Sequence, residues 1–120
     1  MMLQFLTPAL HGALDYLAAG ALIVLPLILG FQGIEHWLSV AAGAGLIFYS
    51  LITDYRFGLA RLVPYNAHLV FDLTVGAALL AAPFVLGFSF TATIYYPVMA
   101  FGVFAVVVAS ERAAAVRNPE

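Results

Sequence analysis

Apolar residues run almost without interruption along the chain, and the polar and turn-forming residues that break the run divide it into four stretches. The first extends from about Pro8 to Gly30 and closes on Gly30-Phe31-Gln32-Gly33. Thr7 is suited to cap it, and Pro8 falls in the first turn, where an N–H has no partner to lose. The second extends from about Glu35 to Tyr55, the third from about Asn66 to Gly87, and the fourth from about Tyr95 to Arg112. Each is close to the ~20 residues that cross a hydrocarbon core. Residues 73 to 110 carry no charge, so the last two stretches resemble a single long one. Gly87-Phe88-Ser89-Phe90-Thr91, with Pro97 beyond it, supplies the turn chemistry that separates them.

The pattern is internally repeated. HGALDYLAAGALIVLPLILGF, residues 11–31, aligns without a gap on HLVFDLTVGAALLAAPFVLGF, residues 68–88. His11/His68, Asp15/Asp72, Ala21/Ala78, Leu22/Leu79, Pro26/Pro83, Leu29/Leu86, Gly30/Gly87 and Phe31/Phe88 are identical pairs. The same offset of 57 places Gly45 on Gly102, Thr53 on Ser110 and Asp54 on Glu111. Each unit therefore holds one helix, a glycine-terminated turn and a returning helix. With an even number of spans per unit, the second copy enters the membrane from the same side as the first, which makes the repeats parallel. The expected fold is all-α: a four-transmembrane-helix bundle made of two tandem helical hairpins. It forms one membrane domain over residues 1–120, with repeat 1 at about 8–56 and repeat 2 at about 65–113.

These residues resemble the SPW-repeat family of small bacterial and archaeal membrane proteins. Its members are four-helix chains with two copies of a helix that ends in Ser-Pro-Trp and then Gly-Phe. The likeness runs through His-x-x-x-Asp, the proline and the Gly-Phe turn, over nearly the whole chain. The signature itself departs: Leu25-Pro26-Leu27 and Ala82-Pro83-Phe84 keep the proline and lack the serine and tryptophan. The resemblance implies a fold and no established activity.

Composition changes the picture by naming the solvent. Hydrophobic residues make up 65% of 120 positions and charged residues 8%, against roughly a quarter charged in soluble domains. A chain of 12.8 kDa has too little interior to hide that excess from water, so the lipid bilayer is the expected surrounding. A net charge of −2 without basic clusters argues against nucleic acid. The chain lacks cysteine, which removes disulfides, thiolate metal sites and cysteine nucleophiles together. The N-terminal segment has no basic region of the signal-peptide kind and reaches Asp15 early, so it is read as a retained first helix.

Arg56 and Arg61 lie between the second and third stretches, and Arg112 and Arg117 follow the fourth; there is no lysine. The positive-inside rule then places both termini in the cytoplasm of a cell with this protein in its inner membrane, as a multi-pass chain. Tyr55, Tyr65, Trp37, Tyr95 and Tyr96 fall near span ends and read as interfacial belt residues. With this topology His11, Asp15, His68 and Asp72 begin spans one and three at the cytoplasmic end, and Asp54 and Glu111 finish spans two and four there. Only Glu35 and His36 sit at the opposite end.

His11 and Asp15 are four residues apart and share a helix face, about 6 Å along the axis. Continuing that stripe gives Ala19, Leu22 and Pro26, and in the copy Gly76, Leu79 and Pro83; small residues and proline there predict an inward face. A carboxylate facing lipid costs on the order of 3 kcal/mol at mid-membrane. The six groups His11, Asp15, Asp54, His68, Asp72 and Glu111 suit a cation, either protons or a divalent metal such as Zn, Mn or Fe. The alternative reading is structural, with the polar groups pinning the hairpins of a non-catalytic scaffold or partner subunit. A haem held by His11 and His68 is a third, without any attachment motif. No nucleophile elbow, phosphate loop or dinucleotide fingerprint occurs, so enzyme activity is not the leading expectation, and a metal-dependent membrane enzyme is the more distant alternative. Ser39, Ser50, Ser89 and Ser110 read as packing serines, and Gly43 and Gly45 as a packing surface. Pro26 and Pro83 are expected to loosen their helices. Conduction through so small a bundle would require a homo-oligomer.

Overall fold

The computed structural model of the chain describes residues 7–53, 58–60 and 62–117. Four helices follow one another: α1 (Pro8–Ile28), α2 (Gly33–Leu51), α3 (Tyr65–Leu86) and α4 (Phe90–Arg117). Among the described residues the only strand-like pairing is a single bridge between Thr53 and Val63. The helix α1 packs chiefly on α2, and α3 on α4. The two hairpins meet mainly through α1 against α4, with a smaller contact between α2 and α3.

The helix ends have local causes. Thr7 caps α1, its hydroxyl accepting from the Leu10 N–H at 3.1 Å. Both first helices of the hairpins close on a glycine in the left-handed region, Gly30 at φ 75° and Gly87 at φ 67°. This lets the Phe31 N–H reach back to the Pro26 carbonyl at 2.9 Å and the Phe88 N–H to that of Pro83 at 3.1 Å. The helix α2 ends at Leu51, short of the expected Tyr55, because the connection folds back over its C-terminus. Leu59 and Ala60 donate to the Leu51 carbonyl, and Leu62 and Val63 to that of Ile52. The helix α4 starts at Phe90 rather than Tyr95. Ser89 caps it, and the Glu35 carboxylate of α2 takes both the Ser89 N–H and its hydroxyl, placing negative charge at the positive end of the helix.

Pro26 and Pro83 lie inside helices that run on past them. The absent N–H of Pro26 leaves the Leu22 carbonyl without its helical donor, and the Ser39 hydroxyl of α2 fills the vacancy at 2.7 Å. A missing backbone bond thus becomes a tie between the two helices of the first hairpin.

Packing follows the inward stripe. His11, Asp15, Ala19 and Leu22 on α1, and His68, Asp72, Gly76 and Leu79 on α3, are all buried. Gly43 sits so close to α1 that a Cβ there would lie 2.7 Å from the Ala19 carbonyl oxygen, whereas Gly45 faces open space. The outside of the bundle is apolar: Leu17, Leu27, Phe48, Val70, Phe84 and Phe101 are exposed, as suits a surface solvated by lipid chains. Three helical segments, Ala9–Ile28, Tyr65–Leu86 and Phe90–Ser110, are long and apolar enough to cross a membrane. The 19-residue α2, which carries Glu35 in its first turn and His36 beside it, is not among them.

The expected place of two tyrosines is also corrected. Tyr95 and Tyr96 are buried rather than interfacial, at 7% and 0% exposure. Starting α4 at Phe90 turns both rings inward. There the Tyr95 hydroxyl pairs with Ser39 Oγ at 2.7 Å and the Tyr96 hydroxyl donates to the Glu35 carbonyl at 2.6 Å. Trp37 is exposed as a belt residue would be; Tyr55 lies outside the described residues.

Candidate metal centre

One turn separates His11 from Asp15 on α1, and His68 from Asp72 on α3. Facing each other across the bundle, α1 and α3 bring the four side chains together into a ring. His11 Nε2 lies 3.1 Å from Asp15 Oδ2 and 2.8 Å from Asp72 Oδ2. His68 Nε2 lies 2.5 Å from Asp15 Oδ2 and 3.4 Å from Asp72 Oδ1. Every histidine therefore faces both carboxylates, one from its own helix and one from the other repeat. Taking one nitrogen or oxygen from each residue, the four atoms all lie within 4.8 Å of one another. None of the four residues is more than 3% exposed. Asp72 Oδ1 is buried and accepts no hydrogen bond, an expensive condition for a carboxylate oxygen in a dry interior.

The outward nitrogens are held as symmetrically as the inward ones. His11 Nδ1 is 2.9 Å from Ser110 Oγ of α4, and His68 Nδ1 is 2.7 Å from Thr53 Oγ1 at the end of α2. Each hydroxyl also bonds to the carbonyl four residues before it, Ser110 to Val106 at 2.6 Å and Thr53 to Tyr49 at 2.7 Å. Aromatic edges close the sides. Tyr65 meets His11 with ring centroids 5.5 Å apart, and Tyr49 meets His68 at 5.4 Å while stacking on Phe71 at 3.9 Å.

Of the six residues expected to cluster, the structure brings together His11, Asp15, His68 and Asp72. Asp54 lies outside the described residues, as do Arg56 and Arg61, and the side chains of Glu111 and Arg112 are likewise not described. Glu35 and His36 are at the other end of the bundle. There Glu35 borders a cleft of about 590 Å³ between the two Gly-Phe turns, with its carboxylate engaged by Ser89. The haem reading does not fit. The His11 and His68 rings are 5.6 Å apart at 83° to each other, with both carboxylates in hydrogen-bonding or ion-pairing contact with them, so a planar macrocycle has no room between them. Ser110, expected to be a packing serine, is a partner of His11, and Thr53 has the same part beside His68. Their alignment at the repeat offset was the signal for both.

The family model for the SPW repeat domain matches residues 9–111. The chain belongs to the SPW repeat family. The matched segment holds both His-x-x-x-Asp pairs and both hydroxyl residues, so the ring of this SPW repeat protein is built wholly from the repeat and its copy. No curated protein matches the chain, and no solved structure does.

Proposed function

We propose that this SPW repeat protein is a four-span membrane protein whose ring of His11, Asp15, His68 and Asp72 binds a divalent metal ion near the cytoplasmic face. The observation that carries the reading is the convergence of four buried ligand atoms, two imidazole nitrogens and two carboxylate oxygens, within 4.8 Å. Charge supports it: two neutral imidazoles, two carboxylates and a divalent ion sum to zero, the least costly total in a hydrocarbon interior. Asp72 Oδ1, which accepts no hydrogen bond and has only the longer contact with His68 Nε2 at 3.4 Å, is an acceptor suited to the ion.

In its closed form the ring is held by shared protons. Three of its N···O contacts, at 2.5 to 3.1 Å, are hydrogen-bond distances, shorter than the ~3.4 Å between ligands around tetrahedral zinc. Taking up a metal widens the ring by about half an ångström and displaces protons. Asp54 and Glu111, next in sequence to Thr53 and Ser110, are suited to attract the ion on its way in. The arginines at 56, 61, 112 and 117 orient this end, and both termini, toward the cytoplasm of the cell whose inner membrane holds the protein.

The same short contacts favour a second reading, in which the ring is a permanent latch between the hairpins and binds nothing. Metal analysis of untagged protein, purified in mild detergent without chelator and then offered zinc, separates the two. Stoichiometric zinc, lost in Asp15→Asn/Asp72→Asn protein that still folds, supports the metal site. A metal-free wild-type protein that refuses zinc leaves the latch.

A further inference from the structure

The hydroxyls of Thr53 and Ser110 decide which nitrogen each histidine offers. A backbone carbonyl only accepts, so the single hydrogen of Ser110 Oγ must go to Val106 O, and that of Thr53 Oγ1 to Tyr49 O. What remains on each oxygen toward the imidazole is a lone pair. Ser110 Oγ and Thr53 Oγ1 therefore accept, and Nδ1 of His11 and of His68 must carry the hydrogen. In a neutral ring with Nδ1 protonated, the free lone pair is on Nε2, which in both histidines points at the carboxylates.

We infer that Thr53 and Ser110 are positioning residues of the metal site, each fixing the histidine of the opposite repeat so that both Nε2 atoms converge on one transition-metal ion of the zinc class. The inference rests on the metal reading above and adds the ligand atoms, the ion class and two residues that touch no metal. The crossing matters. His11 of the first hairpin is held from α4, and His68 of the second from the end of α2, so neither hairpin alone carries an oriented ligand set. Two imidazole nitrogens and two carboxylates select a borderline ion over hard Mg²⁺ or Ca²⁺, which take oxygen. Outer partners of ligating histidines typically contribute about 10- to 100-fold in metal affinity.

The test uses the full chain in mild detergent, with zinc and magnesium as probes. Wild-type protein is expected to bind one zinc and no magnesium. Thr53→Val and Ser110→Ala are each expected to weaken zinc about 10- to 100-fold, whereas Thr53→Ser and Ser110→Thr, which keep the hydroxyl, retain wild-type affinity. Nitrogen-15 spectra of the wild-type imidazoles give a readout that packing alone does not move and that needs no variant. Both zinc-loaded rings should be protonated at Nδ1 and metallated at Nε2. Zinc bound through Nδ1 of either ring, or wild-type affinity in both hydroxyl-free variants, overturns the inference while the metal site stands. A wild-type protein that binds no zinc overturns the metal site itself.

Discussion

Asp15 and Asp72 are equivalents in sequence but unequal in the ring, and this inequality predicts different costs for the same deletion. Asp15 Oδ2 receives Nε2 of both histidines, at 3.1 and 2.5 Å. Asp72 receives one hydrogen bond, from His11 at 2.8 Å, while its contact with His68 at 3.4 Å is an ion pair only. Asp15→Ala and Asp72→Ala remove the same atoms from sites that are both almost fully buried, so the cavity left behind is a common cost that cancels in the difference. What does not cancel is one charge-assisted hydrogen bond, worth about 1.5–3 kcal/mol. In metal-free protein Asp15→Ala should therefore be less stable than Asp72→Ala by on the order of 1.5 kcal/mol or more, about a tenfold change in the folding equilibrium. Reversible unfolding in mixed detergent micelles, with a chelator present, measures both. Equal losses, or the larger loss at Asp72, would refute the reasoning from ring geometry.

Packing at the two small positions should separate in the same way. Gly43→Ala forces a Cβ to 2.7 Å from the backbone oxygen of Ala19, which has nowhere to go, and should cost about 1–3 kcal/mol of thermal stability. Gly76→Ala first meets the Phe104 ring, at 2.6 Å, a side chain that can swing aside where a backbone oxygen cannot, so its loss of stability should be the smaller of the two. Glu35→Ala removes the acceptor from the start of α4 and is expected to cost about 0.5–2 kcal/mol; faster amide hydrogen exchange in residues 90–94 would register it. Because the chain has no cysteine, single cysteines report topology without background. Gln32→Cys should react with an impermeant maleimide on intact cells and Leu62→Cys only after lysis, and the reverse pattern would invert the orientation.

The features the sequence made legible are those governed by period and repetition. An offset of 57 residues paired His11 with His68 and Asp15 with Asp72, and the spacing of three and four put Ala19, Leu22 and Gly76 on the same inward stripe, where they are buried. Contacts between residues far apart in the chain were harder to foresee. Ser110 lies 99 residues from His11, and nothing in its local sequence distinguishes a packing serine from one that orients an imidazole. Tyr95 and Tyr96 were misplaced for a related reason. Proximity to a span end does not say which way a ring points, and the true start of α4 depends on Glu35, 54 residues from Ser89. The end of α2 moved because the returning chain, from Leu59 to Val63, satisfies its last carbonyls.

Zinc-edge X-ray absorption on protein loaded with one equivalent of zinc tests the proposed site most directly. The ring predicts four nitrogen or oxygen ligands at about 2.0–2.1 Å, with the outer-shell scattering of two imidazoles, and loss of that signal in Asp15→Asn/Asp72→Asn protein. An oxygen-only shell without imidazole scattering, or zinc that washes away from the folded wild-type protein, would contradict a metal site built from His11, Asp15, His68 and Asp72.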